Sequence, residues 1–276
     1  MTSRLHSAWQ DTTHASVFDY MASFPDYLLR KHFESFNEIR LMMALIAGIE
    51  RKDFLEVGCA TGELYRYLKG TVRQLDYLGV DISEPAVRRA REKFGQERFV
   101  LLDASEPGRS LDGLKPRSIV FSRDVALHQE DPYAFLGRLL TLARDILVVR
   151  LRTREVGDTV FDVERSCQFH YGGHWVPYIV LNTQELLRKL QEDKRVEKIY
   201  LSRRFEPLGG HNGRYLPKDL YLPETGTAET ALLIKLGASS DAREPKVIVD
   251  DKPDGTRFSI FDRLVLRLAR VWRRGR

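Results

Sequence analysis

The chain has 276 residues, 43% of them hydrophobic and 30% charged, with a formal net charge of +5. Those proportions fit a globular protein able to bury a sizeable core and exclude a fibrous or low-complexity chain. Its two cysteines, Cys59 and Cys167, exclude a disulfide framework and point to a reducing compartment, no apolar run nears the roughly 18 residues of a membrane span, and the first residues lack the apolar core of a secretory signal, so a cytoplasmic protein is expected.

In chain order, "VFDYMASFPDYLLRKHF" and "FNEIRLMMALIAGIE" carry apolar residues at three- and four-residue spacing and predict helices, read as an N-terminal helical lid over residues 1–50. "DFLEVG" predicts a strand and "GELYRYLKG" a helix. "LDYLGVDIS" and "ERFVLLDAS" are strands that end in an acid, with the helix "EPAVRRAREKFG" between them. "RSIVFSRDV", the helix "DPYAFLGRLLTLA" and the strand "DILVVRLRT" follow. Strands that are apolar almost throughout and alternate with helices predict a doubly wound, mostly parallel α/β sheet. Beyond residue 153 come an aromatic- and His-rich insertion, a helix at "NTQELLRKLQED" with Asn182 as its N-cap, and two late strands, "VEKIYLSRRF" and "TALLIKLG". A long Gly/Pro/Tyr-rich connection separates those strands. The main domain is thus read as residues 51–237, followed by a linker over 238–256 and a tail helix over 257–276.

In "LEVGCATGELYRYL" an apolar strand turns into a helix through Gly58 and Gly62. Glycine there lets the backbone turn tightly and approach a ligand, as beyond the strand tips of a doubly wound sheet. Glu56 in the first strand, Asp81 at the end of the second and Asp103 at the end of the third put three acids around one crevice. Such a ring repels a pyrophosphate and favours a cationic nucleoside, with Asp81 suited to ribose hydroxyls. "LEVGCATGELYRYL", "YLGVDISEPAVRRAREKF", "FVLLDAS" and "SIVFSRDVALHQEDPYAFLGRLLTLARDILVVR" resemble, in order and spacing, the motifs of the class I S-adenosylmethionine-dependent methyltransferases.

The resemblance covers residues from about 53 to 152 and implies a Rossmann-like, seven-stranded, mostly parallel sheet, with insertions after strand 5 and between the last two strands. It implies S-adenosylmethionine as cofactor, held by Glu56, Gly58, Cys59, Ala60 and Gly62 in the first motif. Asp81 would bind ribose hydroxyls with Ile82 beside the adenine, Asp103 and Ala104 the adenine edge, and Ser122 and Arg123 the methionine portion. Ala60 stands where many members have glycine. Tyr20 is a lid contact by the same analogy.

His128, after the fourth strand, is the candidate general base, because an imidazole suits proton removal near neutrality; a structural histidine is the competing reading. Cys167, His170 and His174 have spacings a metal could use but lack a fourth ligand, so no metal is expected. His170, Tyr171, His174 and Trp175, with His211, Arg214 and Tyr215 from the long connection, read instead as a polar aromatic substrate pocket. O-methylation of a small polar molecule or a lipid-linked glycan is therefore expected. The alternatives are an RNA or protein N-methyltransferase and a non-catalytic scaffold. Nucleic acid is an improbable partner, because no basic aromatic platform accompanies the motifs. In the tail, Phe261, Leu264, Val265, Leu268, Val271 and Trp272 fall on one helical face and Arg263, Arg267, Arg270 and Arg274 on the other. Such a helix suits the inner surface of an anionic membrane, packing on the domain, or pairing with another subunit.

Overall fold

The computed structural model describes residues 8–9, 19–102, 110–170, 173–205, 227–238 and 245–251, together with Ser259, Asp262 and Val265, the side chains of 19, 20 and 170 excepted. Two helices, α1 (Asp26–Phe33) and α2 (Asn37–Ile46), precede β1 (Asp53–Val57). Next come α3 (Glu63–Thr71), β2 (Asp76–Asp81), α4 (Glu84–Phe94), β3 (Phe99–Leu101), β4 (Arg117–Arg123), α5 (Pro132–Leu142) and β5 (Ala143–Arg154). The later elements are β6 (Cys167–His170), β7 (His174–Pro177), β8 (Leu181–Asn182), α6 (Thr183–Gln191), β9 (Val196–Phe205), β10 (Thr227–Leu236) and β11 (Lys246–Val249).

The main sheet runs β3-β2-β1-β4-β5-β10-β9-β11, and β8 pairs with β5. Only β10 is antiparallel to its neighbours. The α/β class and the mostly parallel sheet are as expected, but the strand count is nine rather than seven. One addition, β11, lies inside the stretch expected to be a linker. "KVIV" carries enough apolar character for Val247 to join the core, and its backbone pairs with β9 in parallel, covering an edge that would otherwise be open.

All five residues of β1 are buried, as befits a strand with helices on both sides. On one face Leu55, Val57, Val120, Leu147 and Val149 pack with α5 and α6; on the other Phe54, Phe121, Ile119 and Val148 pack with α1, α2 and α3. Local sequence starts the helices. Asp131 accepts the Ala134 N–H before α5, and Asn182 accepts from Gln184 and Glu185 before α6, as expected of an N-cap.

The second face also buries charge. Arg123 Nε lies 3.1 Å from Glu38 of α2 and its guanidinium lies 3.7 Å over the Phe36 ring. Glu229 of β10 meets Arg150 at 2.6 Å, Arg152 at 3.3 Å and Arg204 at 2.7 Å, which joins β5, β10 and β9. Cross-strand register puts Arg152, Glu229 and Arg204 in one row. Removing the shared carboxylate leaves guanidinium groups to repel one another at low dielectric, which costs about 3–5 kcal/mol for a buried partner. Glu229→Ala should therefore lower the unfolding free energy by about 3 kcal/mol or more in urea titrations; a change below about 1 kcal/mol would contradict the role given to this carboxylate.

Candidate active site

The glycine turn begins where β1 ends. Gly58 has φ +86° and Gly62 φ +82°, in the left-handed region that glycine enters without steric cost. A Cβ on Gly58 would fall 2.3 Å from a methyl of Val125, so the loop after β1 and the loop after β4 touch there. Ala60 also lies at positive φ, +45°, where an L-residue is strained by roughly 1–2 kcal/mol. Its N–H donates to Asp81 Oδ2 at 2.8 Å, a bond available only in this turn.

Asp81 joins two strand ends. Its second oxygen, Oδ1, accepts the Ser83 N–H at 2.9 Å. Burial raises its proton affinity above the usual carboxylate range, and the N–H groups of Ser83, Ala60 and Ile82 oppose that rise. Glu56 lies deeper, 6% exposed. The Tyr77 hydroxyl donates to its Oε2. Burial pushes the Glu56 carboxyl up to about 8; the Tyr77 bond opposes the rise and nearby Asp81 adds to it.

Across the crevice, β4 ends in Ser122, fully buried, and in Arg123, whose side chain is held by Glu38 and Phe36. Asp124 takes φ +57° and donates its N–H to the Arg150 carbonyl at 3.0 Å, turning the chain into the short helical turn Ala126–His128. His128 Nδ1 lies 2.8 Å from the Pro177 carbonyl oxygen. A carbonyl only accepts, so Nδ1 carries a hydrogen and donates it to Pro177. The Trp9 ring lies 4.9 Å from the imidazole and the Tyr178 ring 5.9 Å away. Pro177 ends the β6–β7 hairpin, and Ile179 N–H donates to the Leu127 carbonyl at 2.8 Å, so the aromatic insertion is pinned to the histidine turn.

The structure thus brings Glu56, Gly58, Cys59, Ala60, Gly62, Asp81 and Ile82 together at the tips of β1 and β2, with Ser122 and His128 opposite. The Arg123 guanidinium pairs with buried Glu38 of α2, lies 3.6 Å from Asp124 and acts on the charge of Glu56. Burial raises the Cys59 thiol well above its usual value, so it packs as an apolar group. On the hairpin, His174 pairs with His170 in register and is half-buried, while Trp175 is 54% exposed with its ring against Phe169. Asp103, Ala104, Tyr171, His211, Arg214, Tyr215 and the Tyr20 and His170 side chains lie outside what the structure describes. Sequence reasoning did not find Tyr77, Trp9 or the Pro177 carbonyl. Nothing in the local pattern marks them, since each meets its partner only after the chain folds.

A carboxyl with a raised folded pKa binds its proton more tightly in the folded state than in the unfolded one. Glu56 therefore contributes most below its ordinary value of 4.5, and that stability is lost as pH rises toward about 8. The unfolding free energy of Glu56→Gln, minus that of the wild type, should grow by on the order of a few kcal/mol between pH 5 and pH 8. Parallel urea midpoints across that range would refute the assignment.

The residues present suit an adenosyl sulfonium. Thr61 and Ser83, in the turns after β1 and β2, and Ser122, near the end of β4, bury hydroxyl oxygens without a hydrogen-bond partner among the described residues. Glu56 and Asp81 supply carboxylates beside a glycine whose missing Cβ leaves room for close approach. Residues 55–145, the strands and loops that form this crevice, match the family model of a methyltransferase domain. No curated protein sequence matches the chain. Among solved structures, the N-terminal domain of EvdMO1 with SAH bound is similar at TM-score 0.52 and 15% identity, covering 72% of this chain and 81% of that one. The plantazolicin methyltransferase BpumL in complex with SAH is similar at TM-score 0.50 and 14% identity, covering 85% and 95%. At such identities the likeness establishes the fold, and the family match identifies residues 55–145 as a methyltransferase domain.

Proposed function

We propose that the enzyme methylates an oxygen of a small polar molecule or a glycan, with His128 as general base. The single observation that carries this reading is the bond from His128 Nδ1 to the Pro177 carbonyl, which sets the basic lone pair on Nε2. When bound, S-adenosylmethionine supplies an electrophilic methyl group, so activation rather than redox chemistry is what the chain must add. A hydroxyl acceptor loses a proton as it attacks, and Nε2 is the atom to take it. The resulting imidazolium is stabilised because its Nδ1–H to carbonyl bond becomes charge-assisted. The Val125–His128 turn and the anchored hairpin fix the ring, which keeps the acceptor oxygen aligned with the reacting centre; such alignment supplies on the order of 7–11 kcal/mol in well-oriented systems.

In this reading Asp81 would accept from the ribose hydroxyls, and Glu56 would favour a positive ligand by giving up its proton on binding. Asp81→Asn should weaken S-adenosylmethionine binding about 10- to 100-fold by isothermal titration, the worth of a charge-assisted bond; an unchanged affinity would remove Asp81 from the cofactor site. Incubating extracted cellular small molecules with methyl-labelled S-adenosylmethionine and the enzyme tests the acceptor class. His128→Ala should cut label transfer roughly 100- to 10,000-fold while changing cofactor affinity little. Undiminished transfer by His128→Ala would eliminate the histidine as base, and label appearing only in RNA or protein would eliminate the acceptor class.

A further inference from the structure

In the C-terminal segment, Asp262 and Val265 touch the N-terminal helices' side of the domain. Asp262 is 5% exposed, and Lys31 of α1 donates to its carboxylate. The same carboxylate accepts the Ser259 N–H at 2.7 Å, while the Asp262 N–H donates to Ser259 Oγ at 3.1 Å. That reciprocal pair is a capping box between Ser259 and the helical Asp262, at the point where Lys31 meets the carboxylate. Val265, one turn on, packs against the hydrophobic cluster that contains Met21, Phe24, Leu28, Leu29 and Phe33. The sequence assigns Val265 to the apolar face of the tail helix, opposite its arginines. An apolar residue of that face already seated on the core is unavailable to a bilayer.

α1 in turn is bound to the start of α3. Arg66 donates to the Phe24 carbonyl at 2.8 Å and to Asp26 at 2.5 Å, and the Phe33 and Tyr67 rings stack at 5.2 Å. α3 begins directly after Gly62 of the cofactor loop. Contacts therefore run from Asp262 through Lys31 and α1 to the helix that the glycine loop feeds.

We infer that the face of the N-terminal helices around Lys31 is a docking surface for the chain's own Ser259, Asp262 and Val265, which act as an intramolecular strap and slow cofactor release. Opposite charge specifies the position, since a partly exposed ammonium meets a nearly buried carboxylate that also caps the arriving helix. The occupant is thus a segment of this same chain rather than a lipid surface. The coupling to the crevice rests on the S-adenosylmethionine site described above, whereas the docking does not.

The test uses the full-length protein and variants Lys31→Met, Asp262→Asn and their double, with Lys31→Arg as the charge-retaining control. Hydrogen exchange of the α1 amides should quicken about tenfold in each single variant, no further in the double, and not at all in Lys31→Arg. S-adenosylhomocysteine should dissociate several-fold faster from the singles in stopped-flow competition, while wild-type protein stays in solution with vesicles containing 30 mol% phosphatidylserine, on the order of a strongly anionic leaflet. Unchanged α1 exchange, additive effects in the double variant or flotation of the wild type with the vesicles would overturn the strap. Faster α1 exchange with unaltered dissociation would overturn the link to cofactor release alone, and absence of S-adenosylhomocysteine binding altogether would indict the cofactor site instead.

Discussion

The crevice depends on one carboxylate. A parallel strand ends with amide groups that its neighbour cannot satisfy, and Asp81 at the tip of β2 accepts two of them, from Ala60 and from Ser83. The first bond holds the loop after β1 in a conformation that an alanine resists; the second fixes the turn into α4. Because Val57 pairs with both Val80 and Ser122, the β1 tip is set by register against β2 and β4 at once. The loop can then close on Val125 at a separation that only glycine tolerates at position 58. Sheet register and one acid together give the cleft its shape.

Charge divides the sheet into two halves. Around β1 and β2 lie carboxyl groups, Glu56 and Asp81, buried enough that both bind protons more tightly than in water. Around β4, β5 and β9 lie Arg123, Arg150, Arg152 and Arg204, held by Glu38 and Glu229. Such buried pairs contribute little net stability relative to apolar residues of the same size, because desolvation offsets attraction. Their effect is positional: Glu229 ties three strands, and Glu38 ties the end of β4 to α2.

His128 is oriented from outside its own motif. Its turn is local, Ala126–His128, but its tautomer is chosen by a carbonyl in the hairpin insertion, and its ring is flanked by an aromatic residue from the N-terminal segment. The N-terminal segment, the turn after β4 and the insertion thus meet at one side chain.

Periodicity made the sheet legible in sequence: apolar runs such as "FLEV" and "SIVF" read as doubly covered strands, and Asn182 read correctly as an N-cap because capping is a short-range bond. β11 escaped because a four-residue edge strand among charged residues has no period to detect, and its stability comes from pairing with β9. Of the site, the sequence by itself determined the glycines and Asp81, since a turn at positive φ and an acid at a strand end are constraints on consecutive residues. Only the tertiary structure decided that Arg123 faces Glu38, that Tyr77 bonds Glu56, and that Pro177 orients His128. Those contacts join residues from 21 to 85 positions apart, by hydrogen bonds and ion pairs that no local pattern encodes, because they exist only once burial has removed water from both partners.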